Sequence, residues 1–224
     1  LRPNGPHCAP TTVVEIENTH NMAGGVVYPQ PVIDEICHHA HERGLTVHMD
    51  GARVFNAAAA SGKAVAAIAR HVDSVNFCLS KGLGAPVGSI LVGTADRIAR
   101  GRLYRKRLGG GMRQVGVLAA PGLIALEEMP KRLHEDHENA KWLAMQIAAM
   151  PGVAIDAAKV ETNIVIFDIA GTQREPAAVS AALKQRGVLL NAIGGTKMRA
   201  VTHYDVSRAQ CEEAAAILNQ ILAP

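Results

Sequence analysis

The stretch LTVHMDGAR, residues 45–53, decides the fold that the sequence predicts. It begins as a short run of β-branched and apolar residues, which is typical of a strand, and the strand is expected to stop at Asp50 and Gly51. A helical pattern at residues 29–43 precedes it, and Gly44 stands where such a helix would end. The stretch is therefore expected to be a strand that follows a helix.

The same alternation continues on both sides of this strand. Residues 12–17 predict an earlier strand, residues 57–70 a helix, residues 74–79 a third strand and residues 89–92 a short fourth strand. Strands separated by helices are typical of a parallel α/β sheet, and nearly continuous apolar strands indicate that both faces of the sheet are covered. In such sheets ligands bind at the carboxyl ends of the strands.

A different pattern begins near residue 151. A long helical region at residues 95–150, interrupted by three glycines at residues 109–111, separates it from the predicted sheet. Three strands are predicted after it, at residues 153–156, 162–168 and 198–202. Two helices are predicted among them, at residues 175–186 and 207–222. Ser207 is expected to be the N-cap of the last helix. The sequence thus predicts two domains, residues 1–150 and a small α+β domain at residues 151–224.

Composition excludes several classes of protein. The 224 residues, 48% hydrophobic and 19% charged, suffice for a packed core and exclude a disordered or fibrous chain. A net charge of +3 and an aromatic content of 3% fall short of a dedicated nucleic-acid binder. The longest apolar run, residues 115–126, is shorter than the roughly 20 residues of a membrane span. Neither nucleic acid nor a membrane is expected as a partner.

Metal, disulfide and nucleotide sites also lack support. The cysteines are Cys8, Cys37, Cys78 and Cys211. Their spacing suits neither a zinc site nor a disulfide framework, so free thiols in a cytoplasmic protein are expected. His134 with His137, and His38 with His41, share helix faces without an apparent third ligand, so no metal is expected. The sequence contains no P-loop, no GxGxxG after a strand and no GxSxG motif.

Asp50 and Lys81 each follow the end of a predicted strand, and glycines and a proline surround the lysine in SKGLGAPVGS, residues 80–89. A partly buried lysine has a lowered pKa and can bind a carbonyl group covalently. An aspartate at a neighbouring strand end can pair with the protonated pyridine nitrogen of pyridoxal phosphate (PLP). A structural salt bridge is the alternative. Arg53 is suited to bind a carboxylate or phosphate, or is a surface arginine.

Six segments, in order and in register, resemble the low-specificity L-threonine aldolases. They are ENTHNMAGG (17–25), HMDGARVFNA (48–57), CLSKGLGAPVGS (78–89), LGGGMRQ (108–114), EDHENA (135–140) and VTHYDVSR (201–208). The resemblance implies an α/β fold of the PLP-dependent transferase type (fold type I), with an N-terminally incomplete large domain and a small C-terminal α+β domain. It also implies retro-aldol cleavage of L-threonine, L-allo-threonine and related β-hydroxy-α-amino acids to glycine and an aldehyde.

The resemblance assigns roles to individual residues. Lys81 matches the lysine that binds PLP covalently, and Asp50 matches the carboxylate that keeps the pyridine nitrogen protonated. Arg53 and Arg199 match arginines of the site, and Arg199 is expected to bind the substrate carboxylate. His7 matches an active-site histidine near the β-hydroxyl of the substrate.

Three further residues concern the cofactor and the assembly. Lys106 and Arg113 match residues that reach the PLP phosphate of a neighbouring subunit, and Ser80 is expected to line the cofactor pocket. The resemblance therefore implies a homo-oligomer, which is at least a dimer and, as in the relatives, a dimer of dimers. It also implies a cytoplasmic protein that acts on a small amino-acid substrate.

Two other functions stay open. Relatives have a further segment before the point that matches Leu1, with a phosphate-binding loop and a histidine that stacks on PLP. The sequence is therefore expected to be a portion of a longer protein or a defective fragment. A related PLP-dependent β-eliminating lyase and a non-catalytic fragment that only associates with a partner are the alternatives to the aldolase.

Overall fold

The computed structural model describes residues 1–3 and 5–223, which form two compact units. The first unit comprises Leu1–Thr19 and Tyr28–Lys131, and the second comprises His20–Val27 and the chain from Arg132 onward. The sequence predicts a boundary at residue 150, whereas the second unit begins earlier. The reason is that the helix at Leu133–Ala148 packs on the sheet of the second unit.

A four-stranded sheet organises the first unit. Its strands are β1 (Val13–Glu17), β2 (Thr46–Asp50), β3 (Ser74–Cys78) and β4 (Ser89–Gly93), in the order β1-β2-β3-β4. The first three strands pair in parallel, as the alternation of strands and helices predicts. Strand β4 pairs with β3 in the antiparallel direction. The link between them contains no helix, and a parallel return needs a longer crossover connection.

The helices of the first unit are α1 (Gln30–Glu42), α2 (Val54–Ser61), α3 (Val65–Ile68), α4 (Ala95–Arg107) and α5 (Gly116–Glu128). Helix α1 buries Ile33, Cys37 and Ala40, which recur at helical spacing and form the face against β2. The single helix predicted at residues 57–70 is divided into α2 and α3. Gly62 ends α2 with a φ of 68°, a left-handed conformation that glycine adopts without strain.

Among the described residues, the second unit contains a three-stranded antiparallel sheet and three α-helices, together with short 3-10 turns. The strands are β5 (Ile164–Asp168), β6 (Asn191–Gly194) and β7 (Lys197–Val201), with β7 in the middle. The helices are α6 (Leu133–Ala148), α7 (Pro176–Gln185) and α8 (Arg208–Leu222). Apolar side chains from all three helices and from β5 and β7 form one core.

Two predictions about this unit differ from the structure. The strand expected at residues 153–156 is wrong, because only Ala154 there pairs with a strand, through an isolated bridge to Asp168. The sequence does not predict strand β6, since its largely exposed residues NAIG lack the run of β-branched residues that indicates a strand. The predicted N-cap is confirmed at Ser207, whose hydroxyl accepts a hydrogen bond from the Gln210 N–H.

The helices in the described part of the chain do not meet the requirements of a membrane span. None of them combines the length with the hydrophobicity that a bilayer crossing demands.

Candidate functional site

The carboxyl ends of β2 and β3 form the central part of the candidate site. Asp50 is the last residue of β2, and its partner in the parallel register is Asn76 of β3. Lys81 follows β3 after a short turn. Because parallel strands end at the same edge of a sheet, Asp50 and Lys81 lie at one edge, as the sequence predicts.

The carboxylate of Asp50 is held through one of its two oxygens. Its Oδ1 accepts a hydrogen bond of 2.9 Å from the Ala52 N–H and one of 3.3 Å from Nδ2 of Asn76. Within residues 1–3 and 5–223, no hydrogen bond reaches Oδ2. The carboxylate is only partly buried, so Oδ2 can accept a hydrogen bond from a ligand.

The turn after Asp50 is tightly packed. The Gly51 N–H donates a 2.8 Å hydrogen bond to the Asn76 carbonyl, and the Val54 N–H donates one of 2.8 Å to the Gly51 carbonyl. A Cβ atom at Gly51 would lie 2.8 Å from that Asn76 oxygen, so no other residue fits without displacement. Arg53 occupies the N-cap position of α2 with a half-buried side chain, in the same turn as Asp50.

The loop that carries Lys81 is closed by its own backbone. The Leu79 N–H donates a 2.9 Å hydrogen bond to the Gly88 carbonyl, and the Gly84 N–H donates one of 2.8 Å to the Lys81 carbonyl. Buried Leu79 and Leu83 anchor the loop in a small apolar cluster. The Lys81 side chain is half-buried, whereas neighbouring Ser80 is exposed.

Buried polar atoms without partners lie directly after β1, beside this edge. The backbone N–H of Asn18 donates a 2.9 Å hydrogen bond to the Asp50 carbonyl. Nδ2 of Asn18 and Oγ1 of Thr19 are both buried and have no hydrogen-bond partner among the described residues. Since a buried polar atom without a partner is costly, these two atoms indicate a place for a polar ligand or water. The ENTHN segment carries part of the family resemblance, but the sequence alone assigned no role to these two residues.

Asn76 is a second residue that the sequence alone did not identify. Its sequence signal is a polar residue within a predicted strand. In the structure its side chain shares a face with that of Asp50 on the neighbouring strand. The sequence does not give the register between the two strands, so the pair could not be recognised.

The other predicted residues of the first unit lie on its surface. His7 is exposed in a short turn near the beginning of the chain. Lys106 is exposed in the last turn of α4, and Arg113 is exposed in the loop before α5. Gly111 packs on Lys106, since a Cβ atom there would lie 3.1 Å from its Cδ. The glycine run thus folds back over the end of α4, and the roles expected of these three charged residues stay predictions.

Arg199 belongs to the second unit and lies on the central strand β7. Its Nη1 donates a 2.8 Å hydrogen bond to Oδ1 of Asn21, which is part of the ENTHN segment. Its Nε is buried and has no hydrogen-bond partner among the described residues. A guanidinium held in this way retains donors for a carboxylate, the group that the family resemblance assigns to it.

The histidines considered as metal ligands have other surroundings. His41 contacts Asp73, at 2.9 Å between Nε2 and Oδ2. His137 is buried, and burial, with a smaller contribution from Lys141 and His134, lowers its pKa to about 4. In the described part of the chain, one exposed group on α1 brings metal-ligating atoms together, from His38, His39 and Glu42. Their contacts are ion pairs within one helix.

The chain is similar to known proteins over most of its length. The model of the β-eliminating lyase family matches residues 1–170. The low-specificity L-threonine aldolase of Escherichia coli K12 is 43% identical over 223 residues, which cover 100% of this chain and 64% of the relative. Low-specificity L-threonine aldolase 1 of Arabidopsis thaliana is 39% identical over 207 residues, covering 92% of this chain and 58% of that protein.

A solved structure agrees in fold. The threonine aldolase of Leishmania major matches with a TM-score of 0.76 at 20% identity, covering 98% of this chain and 64% of that one. The predicted resemblance and the predicted fold class are both confirmed. The chain spans 64% or less of the length of these three relatives.

Proposed function

Since the chain belongs to the β-eliminating lyase family, we propose that this protein is a PLP-dependent aldolase. It cleaves L-threonine, L-allo-threonine and related β-hydroxy-α-amino acids to glycine and an aldehyde. The observation that carries the proposal is the pair of Asp50 and Lys81 at one edge of the parallel sheet, with Oδ2 of Asp50 available to a ligand. The names of the E. coli and A. thaliana relatives support the substrate class.

The residues at this edge fit PLP. Oδ2 of Asp50 would accept the hydrogen bond of the protonated pyridine nitrogen, and the amine of Lys81 would hold the cofactor covalently. The buried Nδ2 of Asn18 and Oγ1 of Thr19 add polar atoms that a ligand can satisfy. When bound, PLP draws electrons from the bond between Cα and Cβ of the amino acid and so makes that bond cleavable.

The chain's own residues then orient the substrate and move protons. The carboxylate of Asp50 would keep the proton on the pyridine nitrogen of bound PLP. His7 accepts the proton of the β-hydroxyl group, directly or through water, so that the retro-aldol cleavage can proceed. Arg53 and Ser80 complete the pocket around the cofactor in this proposal.

Arg199 binds the carboxylate of the amino acid. The hydrogen bond to Asn21 fixes one side of the guanidinium, and the buried Nε is a donor that a carboxylate oxygen can satisfy. Fixing the carboxylate restricts rotation about Cα, which determines which bond of the substrate is aligned for cleavage.

We further propose a cytoplasmic homo-oligomer, a dimer of dimers, in which Lys106 and Arg113 reach the PLP phosphate of a neighbouring subunit. The first unit supports an oligomer through large apolar side chains that are exposed on β4, α4 and α5. They include Leu91, Val92, Leu103, Val117, Leu123 and Ile124. Exposed apolar surface of this kind is typical of protein interfaces. The four free thiols support a reducing compartment.

A second candidate is β-elimination on the same cofactor, which the name of the family favours. The two reactions give different products. The aldolase releases glycine and acetaldehyde from L-threonine, whereas a β-eliminating lyase releases ammonia and a keto acid, pyruvate where serine is the substrate.

One experiment tests the proposal. The chain is incubated with PLP, treated with borohydride and digested, and the peptides are analysed by mass spectrometry; a phosphopyridoxyl group is expected on Lys81. Lys81→Ala should lose the visible absorbance of bound PLP, while Lys63→Ala, a change at an exposed lysine of the same unit, should retain it. Unchanged absorbance in Lys81→Ala would contradict the lysine's role. Wild-type chain that binds no PLP would favour the non-catalytic alternative.

A further inference from the structure

A chain of four side chains crosses one face of β2 and β3 and ends at Asp50. Oγ of Ser74 lies 2.9 Å from Nδ1 of His48, and Nε2 of His48 lies 2.9 Å from Oδ1 of Asn76. Nδ2 of Asn76 lies 3.3 Å from Oδ1 of Asp50. His48 and Asp50 are two residues apart on β2, so they share a face, and the parallel register brings Ser74 and Asn76 beside them.

With Asp50 ionised, the chemistry of the groups fixes the direction of the two bonds nearest Asp50. A carboxylate only accepts hydrogen bonds, so Asn76 must present its amide nitrogen to Asp50. Its amide oxygen then faces His48, and the imidazole must carry a proton on Nε2 to donate to it. In the neutral ring Nδ1 then accepts from the hydroxyl of Ser74. An ionised Asp50 thus requires a proton on Nε2 of His48, two residues earlier in the chain.

We propose that His48, acting through Asn76, is a positioning residue for the carboxylate of Asp50; this inference rests on the proposed function. The Ala52 N–H alone leaves the carboxylate free to rotate about its own axis. A second donor on the same oxygen fixes its plane, so that Oδ2 is kept for the pyridine nitrogen of PLP. Pre-organised partners of this kind raise the affinity of a site because the orientation is set before the ligand arrives.

Charged residues near these four hydrogen-bonded side chains come from β1, which pairs with β2 on the edge opposite β3. Strand β1 places Glu15 in register with His48 and Glu17 in register with Asp50. The two ring nitrogens of His48 are already occupied, one by Ser74 and the other by Asn76. The imidazole is thus connected to Asp50 through the amide of Asn76.

The test measures PLP affinity by absorbance titration of the apoprotein in single and double variants. Asn76→Leu should weaken PLP binding by about tenfold, the effect of one hydrogen bond to a charged group. His48→Leu should weaken it by about threefold, because its hydrogen bond to Asn76 joins two neutral groups. His48→Gln should recover most of the affinity, because its side-chain amide can donate to Asn76. In an Asp50→Ala background the same changes should alter the affinity by less than about twofold, because a residue that acts through Asp50 has nothing left to orient.

Controls separate positioning from folding. His134→Leu, a change at an exposed histidine of the second unit, should leave PLP affinity unchanged. Thermal unfolding of each variant establishes that it is folded. Independently of PLP, ¹⁵N NMR of the apoprotein should find His48 as the Nε2–H tautomer.

The outcomes distinguish the two proposals. Wild-type affinity in both leucine variants, an equal loss in the Asp50→Ala background, or an Nδ1–H tautomer would overturn the positioning role and leave the proposed function intact. Wild-type protein that binds no PLP would overturn the proposed function and this inference with it.

Discussion

Nη1 of Arg199 donates a hydrogen bond of 2.8 Å to Oδ1 of Asn21, a residue 178 positions away in the sequence. The two residues lie in different motifs of the chain, one in ENTHN and one on β7. The bond orients a guanidinium whose Nε is buried without a partner among the described residues. It thus joins a residue with no predicted role to the one expected to bind the substrate carboxylate.

The first prediction concerns this pair. Asn21→Leu removes the acceptor but nearly keeps the volume, so Arg199 loses its fixed orientation. We expect KM for L-threonine to rise by roughly tenfold, the scale of a hydrogen bond to a charged group, with a smaller change in kcat. Steady-state kinetics of the PLP-loaded protein measure both constants. An unchanged KM would show that Asn21 does not orient the guanidinium of Arg199. Arg199→Lys measures the effect of losing the planar guanidinium itself.

The second prediction concerns the turn after Asp50. In Gly51→Ala the new Cβ would lie 2.8 Å from the Asn76 carbonyl oxygen and 2.9 Å from Cγ2 of Val75. We expect a loss of about 1–3 kcal/mol in the free energy of unfolding, as in other overpacked sites. PLP affinity should fall as well, because the change displaces the Ala52 N–H that holds Asp50.

Urea denaturation measures the stability of Gly51→Ala, with Gly116→Ala as the matched control. Gly116 is the first residue of α5, and a Cβ atom added there would meet nothing within 4 Å among the described residues. Its alanine variant should unfold at the wild-type urea concentration. Equal stability of the two variants would contradict the tight packing of β2 against β3.

The third prediction concerns the pH dependence of stability. Burial lowers the pKa of His137 to about 4 from its ordinary 6.5. Between pH 4 and pH 6.5 His137 therefore binds a proton in the unfolded chain but not in the folded chain. Above pH 6.5 the ring is neutral in both states and this linkage costs nothing. As the pH falls from 6.5 to 4, proton binding to the unfolded chain lowers the free energy of unfolding by roughly 3 kcal/mol in total.

The variant that tests it is His137→Gln, which should flatten the dependence of the unfolding free energy on pH in that window. His134→Gln on the same helix is the control: His134 is exposed and makes only a small contribution to the lowered pKa of His137, so most of the slope should remain. Buried Asp136 acts in the opposite sense, because burial raises its pKa and favours its neutral form in acid. A slope that survives in His137→Gln would assign the effect to another group.

The fourth prediction concerns the N-terminus of α8. Ser207 and Gln210 form a capping box, in which the Gln210 N–H donates to Oγ at 3.3 Å and the Ser207 N–H donates to Oε1 at 2.8 Å. Ser207→Ala should lower the free energy of unfolding by about 1 kcal/mol, whereas Ser207→Asp should retain most of it. Thermal unfolding of both variants measures the difference, and equal stability of the two would exclude capping by this side chain.

Several features of the protein follow from local sequence. Apolar runs and helical spacing predict β1, β2 and β3 with the helix between the first two, because these elements depend on neighbours within a few residues. The positions of Asp50 and Lys81 follow too, since a residue after a parallel strand reaches the ligand edge whatever the details of packing. Ser207 was predicted for the same reason, as a cap depends on only three or four residues.

Other features depend on parts of the chain that are far apart in the sequence. An apolar run does not indicate the direction of a strand, so the antiparallel pairing of β4 emerged only from the structure. The exposed strand β6 lacks a sequence pattern because it has little core to face.

The sequence by itself determined the class of fold, the family resemblance and the lysine and aspartate of the proposed cofactor site. The tertiary structure decided their partners, from Asn76 and His48 beside Asp50 to Asn21 beside Arg199. The physical reason is that hydrogen-bonding side chains meet according to strand register and chain path. A one-residue shift in strand register would separate these side chains without changing any local sequence pattern.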